Sequence, residues 1–168
     1  MEKSRFQKVK RILCVLAAAL ILASLSGCGS KAGGGKDVAI DMDKLAAALE
    51  KDVPFKDEMS RVDNGVFYGL YGLAEEDADK AVLISSTGAT AEEIAVIHAA
   101  SPDKVSAVNE AVRSRIEAQR EGFENYVPGE LEKLKDPVVE QLGDYVILCV
   151  SDDNDKAEEI ISQFKKDE

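Results

Sequence analysis

Arg115, Gln119 and Tyr126 recur at i, i+4 and i+11, which sets them along one side of a helix whose other positions on that side are apolar or neutral. A guanidinium in such a stripe needs a counter-charge, because an unpaired charge taken out of water costs several kcal/mol. Glu93 is the first candidate partner. Two readings stand. Arg115 and Glu93 form a structural ion pair that fixes helix to hairpin, or Arg115 is a clamp for the carboxylate of a small ligand.

Other reactive residue types are sparse or badly placed. His98 is the single histidine, and no G-x-S-x-G turn, H-E-x-x-H pair or paired-cysteine motif accompanies it, so it reads as a core or sheet-edge residue. Asp152-Asp153-Asn154-Asp155 has the carboxylate density of a calcium loop. It lacks the mid-loop glycine, and Gln163 stands where the twelfth-position glutamate belongs, so the cluster reads as a helix cap. Glu75-Glu76-Asp77-Ala78-Asp79 reads as a solvated turn. Cys149 lies in the aliphatic run Tyr145 to Val150, where a thiol serves as a small hydrophobe rather than a nucleophile. No catalytic residue, metal ligand or cofactor site is assigned.

Composition narrows the partners. With 21 basic against 32 acidic side chains in 168 residues the chain carries a net −11, which argues against a nucleic-acid backbone as ligand. The basic charge is concentrated at the start. Lys3, Arg5, Lys8, Lys10 and Arg11 precede an uncharged run from Ile12 to Gly27, short of a comfortable membrane span and ending in small residues, which is the layout of a signal peptide. Leu25-Ser26-Gly27-Cys28 resembles the lipobox of bacterial lipoproteins. That resemblance implies diacylation of the Cys28 sulfur and cleavage between Gly27 and Cys28, which would anchor the mature chain to the bilayer through two acyl chains. Loss of residues 1–27 leaves 16 basic and 31 acidic groups, net −15. Residues 28–36 are a Gly-rich tether with a span of about 15 Å, and residues 37–168 are expected to form a single acidic domain.

Within that domain Asp41 opens an amphipathic helix over about 42–52, which Pro54 ends. Residues 55–79 are punctuated by Gly65, Gly69 and Gly72 and read as irregular, with Phe67, Tyr68 and Tyr71 on the core. Lys80 to Ser86 reads as a strand; Glu93 to Ala99 balances helix against strand on local signals. Ser101-Pro102 opens the longest helix, to about Asn125, and Pro128 starts a short helical turn that Pro137 closes. Gly143-Asp144 turns a hairpin between Val138 and Val150, and a last helix follows. Ile94 to His98 lies over Val146 to Val150 at an offset of 52 residues, so the domain repeats strand, strand, helix.

Leu70-Tyr71-Gly72, Gly88 to Val96, Arg115 and Gln119 leading to Phe123 through Pro128, and Gly143 to Val146 together resemble an uncharacterised family of Gram-positive bacterial lipoproteins carrying domain of unknown function 4358. The resemblance tips Glu93 to Ala99 to strand. With that strand in place, the repeat predicts an α+β fold: two strand–strand–helix units related by a pseudo-two-fold, forming a four-stranded antiparallel sheet with both long helices on one face, plus the N-terminal helix. The strands from 94 and from 146 are apolar on both faces, so the second face requires a cover from the first helix and the Phe67–Tyr71 segment, or from a partner.

The resulting expectation is a non-catalytic interaction or accessory module, lipid-anchored at the outer face of the cell membrane, with an unidentified envelope protein as partner. A receptor with two α/β lobes does not fit 141 residues. A small ligand-binding lipoprotein built on the Arg115 clamp is the alternative, and a cell-envelope hydrolase the third.

Overall fold

A computed structural model describes residues 39–165. The signal peptide, the Gly27–Cys28 cleavage site and the tether expected from the sequence lie outside these residues. Helix α1, Met42–Asp52, starts where the Asp41 side chain accepts from the Lys44 N–H at 3.0 Å and stops where Val53 turns extended ahead of Pro54. Its Met42, Leu45, Ala46 and Leu49 are buried. After it come β1 (Ser60–Arg61), α2 (Asn64–Tyr71), β2 (Ala78–Ser85) and β3 (Glu93–Ala99). A 3-10 turn at Pro102–Lys104 leads into α3, Val105–Glu124, whose twenty residues make it the longest described helix. Ser101 is extended there, as the residue before a proline prefers, but its side chain makes no capping bond. Another 3-10 turn, Pro128–Glu130, precedes α4 (Leu131–Lys135), then β4 (Val138–Leu142), β5 (Tyr145–Val150) and α5 (Asn154–Phe164).

The architecture is α+β with an open antiparallel sheet in the order β1-β2-β3-β5-β4. It has five strands, not the four expected, because Ser60 and Arg61 pair with Ser85 and Ile84 of β2. A two-residue strand is too short to show a period. The segment read as irregular, residues 55–79, holds β1, the helix α2 and the first two residues of β2. The Asp63 side chain accepts from the Gly65 N–H, and Gly72 ends the helix in the left-handed region at φ 63.

The two hairpins form, but the long helices do not share a face. One face packs Phe67 and Tyr71 of α2 and Val108, Val112 and Ile116 of α3 on Leu83, Ala95, Ile97, Val146 and Leu148. The other packs Leu45 and Leu49 of α1 and Ile160 and Ile161 of α5 on Val82, Ile84, Ile94, Val96, Ile147 and Cys149. Strand register explains the difference. Ile94 pairs with Cys149, and Ala95 with Leu148, so Ile94 and its repeat mate Val146 point to opposite faces. The helices follow their strands: Val108 lies in one core and its mate Ile160 in the other. A pseudo-two-fold normal to the sheet would keep both helices on one side, so the repeat holds for the order of elements and not for their placement. Both cores are covered by the chain itself, with α2 on the α3 side rather than on the second face.

Candidate functional site

Glu93 opens β3 and Glu92 immediately precedes it, and successive residues of an extended chain point to opposite sides. Glu92 and Glu93 are both fully buried. A carboxylate buried among aliphatic strands persists only with donors and counter-charges around it, and the surrounding elements supply them.

Glu93 pairs across the sheet with Val150 and Ser85 and turns to the α3 side. Arg115 meets it as a fork, Nε donating to Oε1 at 3.1 Å and Nη2 to Oε2 at 2.6 Å. The Tyr71 hydroxyl donates to Oε1 at 2.7 Å, and Gln119 Nε2 to Oε2 at 3.0 Å. Burial, reinforced by the charge and hydrogen bond of Glu93, pushes the Tyr71 phenol well above its ordinary value, so it stays a donor. Burial works against the charged Arg115, but Glu93 outweighs it and holds the guanidinium above its usual value. Gln119 Oε1 is buried without a donor.

Glu92 turns the other way. It accepts the backbone N–H groups of Lys56 and Asp57 and the Thr90 hydroxyl at 3.0 Å, and Lys133 Nζ at 2.9 Å. Burial raises its pKa, yet these donors together leave it below the usual carboxylate range. Lys133 of α4 is itself buried, and its Nζ also meets Glu130 at 2.8 Å and Asp152 at 3.7 Å. Burial disfavours the ammonium, and the hydrogen bonds from Lys133 to Glu130 and Glu92 more than restore it. Glu130 accepts the Ala91 N–H at 2.9 Å, and Lys56 Nζ closes on Asp152 at 2.6 Å. The loop after α1, the head of β3, α4 and the loop after β5 are thereby fastened at one point.

A carboxylate held below its normal range is a weak base, and a lysine held above its own is no nucleophile. Each charged group of the cluster meets partners from other segments, so the cluster fastens those segments together. Among the described residues, no group of three or more His, Cys, Asp or Glu side chains is arranged to hold a metal ion.

A family model described as Domain of unknown function (DUF4358) matches residues 51–151 of the 168. The chain belongs to the DUF4358 family. No curated protein matches it, and no solved structure does. The DUF4358 match takes in every residue around Glu93, namely Tyr71, Arg115 and Gln119, together with Glu92, Glu130 and Lys133. Asp152 lies just past its end, and most of α1 and all of α5 fall outside it.

Of the residues singled out from the sequence, the structure brings Arg115, Gln119 and Glu93 together. Tyr126 leaves the group. α3 ends at Glu124, and Tyr126 is 69% exposed, its ring 6.3 Å from that of Phe123. His98 sits at the far end of β3, half-buried, with Nδ1 2.5 Å from Asp79 Oδ1 and its ring 4.6 Å from that of Tyr145. In the second acidic run Asp153 caps α5 by accepting from Lys156 N–H, whereas Asp152 turns to Lys56 and Lys133. Burial pushes the Cys149 thiol up to about 12, against a smaller opposing effect of Ser151. The residues sequence reasoning missed are Tyr71, Glu92, Glu130 and Lys133. A lysine and two glutamates in short polar stretches look like solvent-facing side chains; the available signal was that Glu92 and Glu93 abut an apolar strand with no polar alternation.

Proposed function

We propose that this DUF4358 protein is a non-catalytic interaction module, carried on the outer face of a bacterial cell membrane by a diacylated Cys28. The observation that carries the reading is topological. Both sheet faces are covered by the chain's own helices, yet β4 ends the sheet with its outer edge unpaired among the described residues. An open edge offers backbone donors and acceptors to another chain, and a domain whose ionic cluster locks its loops presents that edge in a fixed shape. The lipobox and its charged leader support the anchor, and the Gly-rich tether keeps the domain within a few tens of ångströms of the bilayer. No described helix is long and apolar enough to cross a membrane.

The test is recovery of the protein from chemically crosslinked cells, beside a panel of cell-wall, lipid and ester substrates. The module reading expects one reproducible envelope partner and no turnover. Turnover that survives repurification, with no crosslinked partner, contradicts it.

A second reading is supported by one feature. Gln119 Oε1 is a buried acceptor without a donor beside Arg115, which suits a ligand bearing an N–H next to its carboxylate, such as an amino acid. Against it, Arg115 already has two donors on Glu93. Titration with amino acids, read by calorimetry on wild type and on Arg115→Met, separates the two: the clamp requires binding that the substitution abolishes.

A further inference from the structure

The two edges of the sheet are guarded differently. β1 is two residues long and carries Arg61, which meets Asp43 at 2.5 Å. β4 is five residues long, pairs with β5 in unbroken register and contains no lysine, proline or bulge. Proline and irregularity, two of the devices that keep edges from pairing, are absent from β4, and its one charged residue is Glu140.

The turn fixes which groups face outward. Gly143 has φ 56 and Asp144 a negative φ, a two-residue turn of type II′ that closes on the Leu142–Tyr145 pair. Pairs then alternate along the hairpin, so Leu142, Glu140 and Val138 turn their backbone groups to β5 while Val139 and Gln141 turn theirs outward. The side chains of these last two lie on the α3 face. Val139 is 40% exposed and, with Ile116 and Pro137, forms the apolar floor of a groove of about 440 Å³ between α3 and the edge, whose remaining lining is polar or charged, Arg113, Glu117 and Arg120 among it. Glu140 lies on the opposite face, where Lys165 Nζ meets it at 2.9 Å. From Asp136 to Val150 the chain holds three carboxylates and no lysine or arginine.

We propose that the β4 edge receives an extended segment of a partner protein as a sixth strand, with an apolar side chain beside Val139 and a lysine or arginine beside Glu140. This rests on the interaction-module reading and names its contact. Adjacent strands place facing side chains on the same side, so the position next to Val139 drops into the groove and the next one lies beside Glu140, where its cation competes with Lys165 for the carboxylate. A second copy is the poorer occupant. Antiparallel self-pairing about Glu140 sets two glutamates opposite each other, between bodies that each carry a large negative charge.

The probe is a fluorescein-labelled peptide, acetyl-Thr-Lys-Val-Lys-Val-Lys-Thr-amide, titrated into the full chain in a neutral detergent and followed by anisotropy. Saturable binding is expected. Val139→Pro removes an outward N–H and no ladder bond, so it should weaken binding at least tenfold while leaving the melting temperature near wild type. Should that variant fail to fold, the same peptide with its alternate backbone nitrogens methylated gives the equivalent loss on wild-type protein. The Glu-for-Lys peptide should not bind wild type. Absence of saturable binding, or equal binding to Val139→Pro and to the methylated peptide, overturns the proposal. So does a dimer in sedimentation that Val139→Pro converts to monomer, since that gives the edge to a second copy. The crosslinking experiment judges the module reading separately: a crosslinked partner with no peptide effect removes the edge assignment and leaves the module reading resting on the captured partner.

Discussion

Arg115 and Lys133 are cations taken inside the domain, and each is matched by a fully buried glutamate. Removing one member of such a pair strands the other, which costs about 3–5 kcal/mol. Arg115→Met is therefore expected to lower the melting temperature substantially while leaving peptide capture per folded molecule unchanged. Arg115→Lys should recover part of the loss, because a point charge satisfies Glu93 without the planar fork. Thermal melts of the three proteins check both statements, and a stable Arg115→Met that has lost a ligand would favour the clamp. Glu92 adds a pH dependence. Its folded pKa lies below the ordinary 4.5, so its stabilisation is complete above that pH and is lost as pH falls through the folded value. Lys133 behaves in the opposite sense: its folded pKa lies above the ordinary 10.5, so its contribution is complete below that pH and fades as pH rises through the folded value. Melts between pH 3 and pH 7 should therefore show an acid decline that is shallower in Glu92→Gln than in wild type.

At the level of elements, α2 depends on its ends. Gly72 holds φ 63 with no atom within 4 Å of where a Cβ would stand, so Gly72→Ala meets backbone strain alone, about 1–2 kcal/mol. Denaturant melts should show that loss with an unchanged slope. α2 is also where the sequence was hardest to read. Eight residues with two glycines and five large apolar or aromatic side chains show no polar face of helical period, and the cap at Asp63 and the stop at Gly72 are intelligible only once the turn is seen. α1 was legible to the residue, because Asp41 and Pro54 punctuate a clean period. The hairpin at Gly143-Asp144 was legible for the same kind of reason, a turn residue with one conformational use. Helix placement was not, since β3 and β5 are apolar on both faces and periodicity cannot say which residue of such a strand faces which helix. At the site, Arg115 stood out as a charge in an apolar stripe. Lys133 did not, because its burial comes from α4 folding over the head of β3 and leaves no mark on its neighbours in sequence.

For the molecule as a whole, the proposed arrangement is an acidic domain on a short tether behind a lipid anchor. Mass spectrometry of the membrane fraction should find a diacylated Cys28 at the mature N-terminus, and Cys28→Ala should shed or mislocalise the protein; an unmodified Cys28 in the membrane form contradicts the anchor. Were the mature chain anchored as proposed, its net −15 beside an anionic leaflet would be repelled within a Debye length of about 8–10 Å, which would leave the domain standing off the headgroups. The most direct test of the central claim is site-specific photo-crosslinking in living cells, with benzoylphenylalanine placed in turn at Gln141 on the β4 edge, at Leu70 on α2 and at Asp63 ahead of α2. The account predicts a discrete adduct with one envelope protein from Gln141, lost when Val139→Pro is added, and none of comparable yield from the other two positions. No adduct from any position in membrane-associated protein, or a Gln141 adduct indifferent to Val139→Pro, would contradict it.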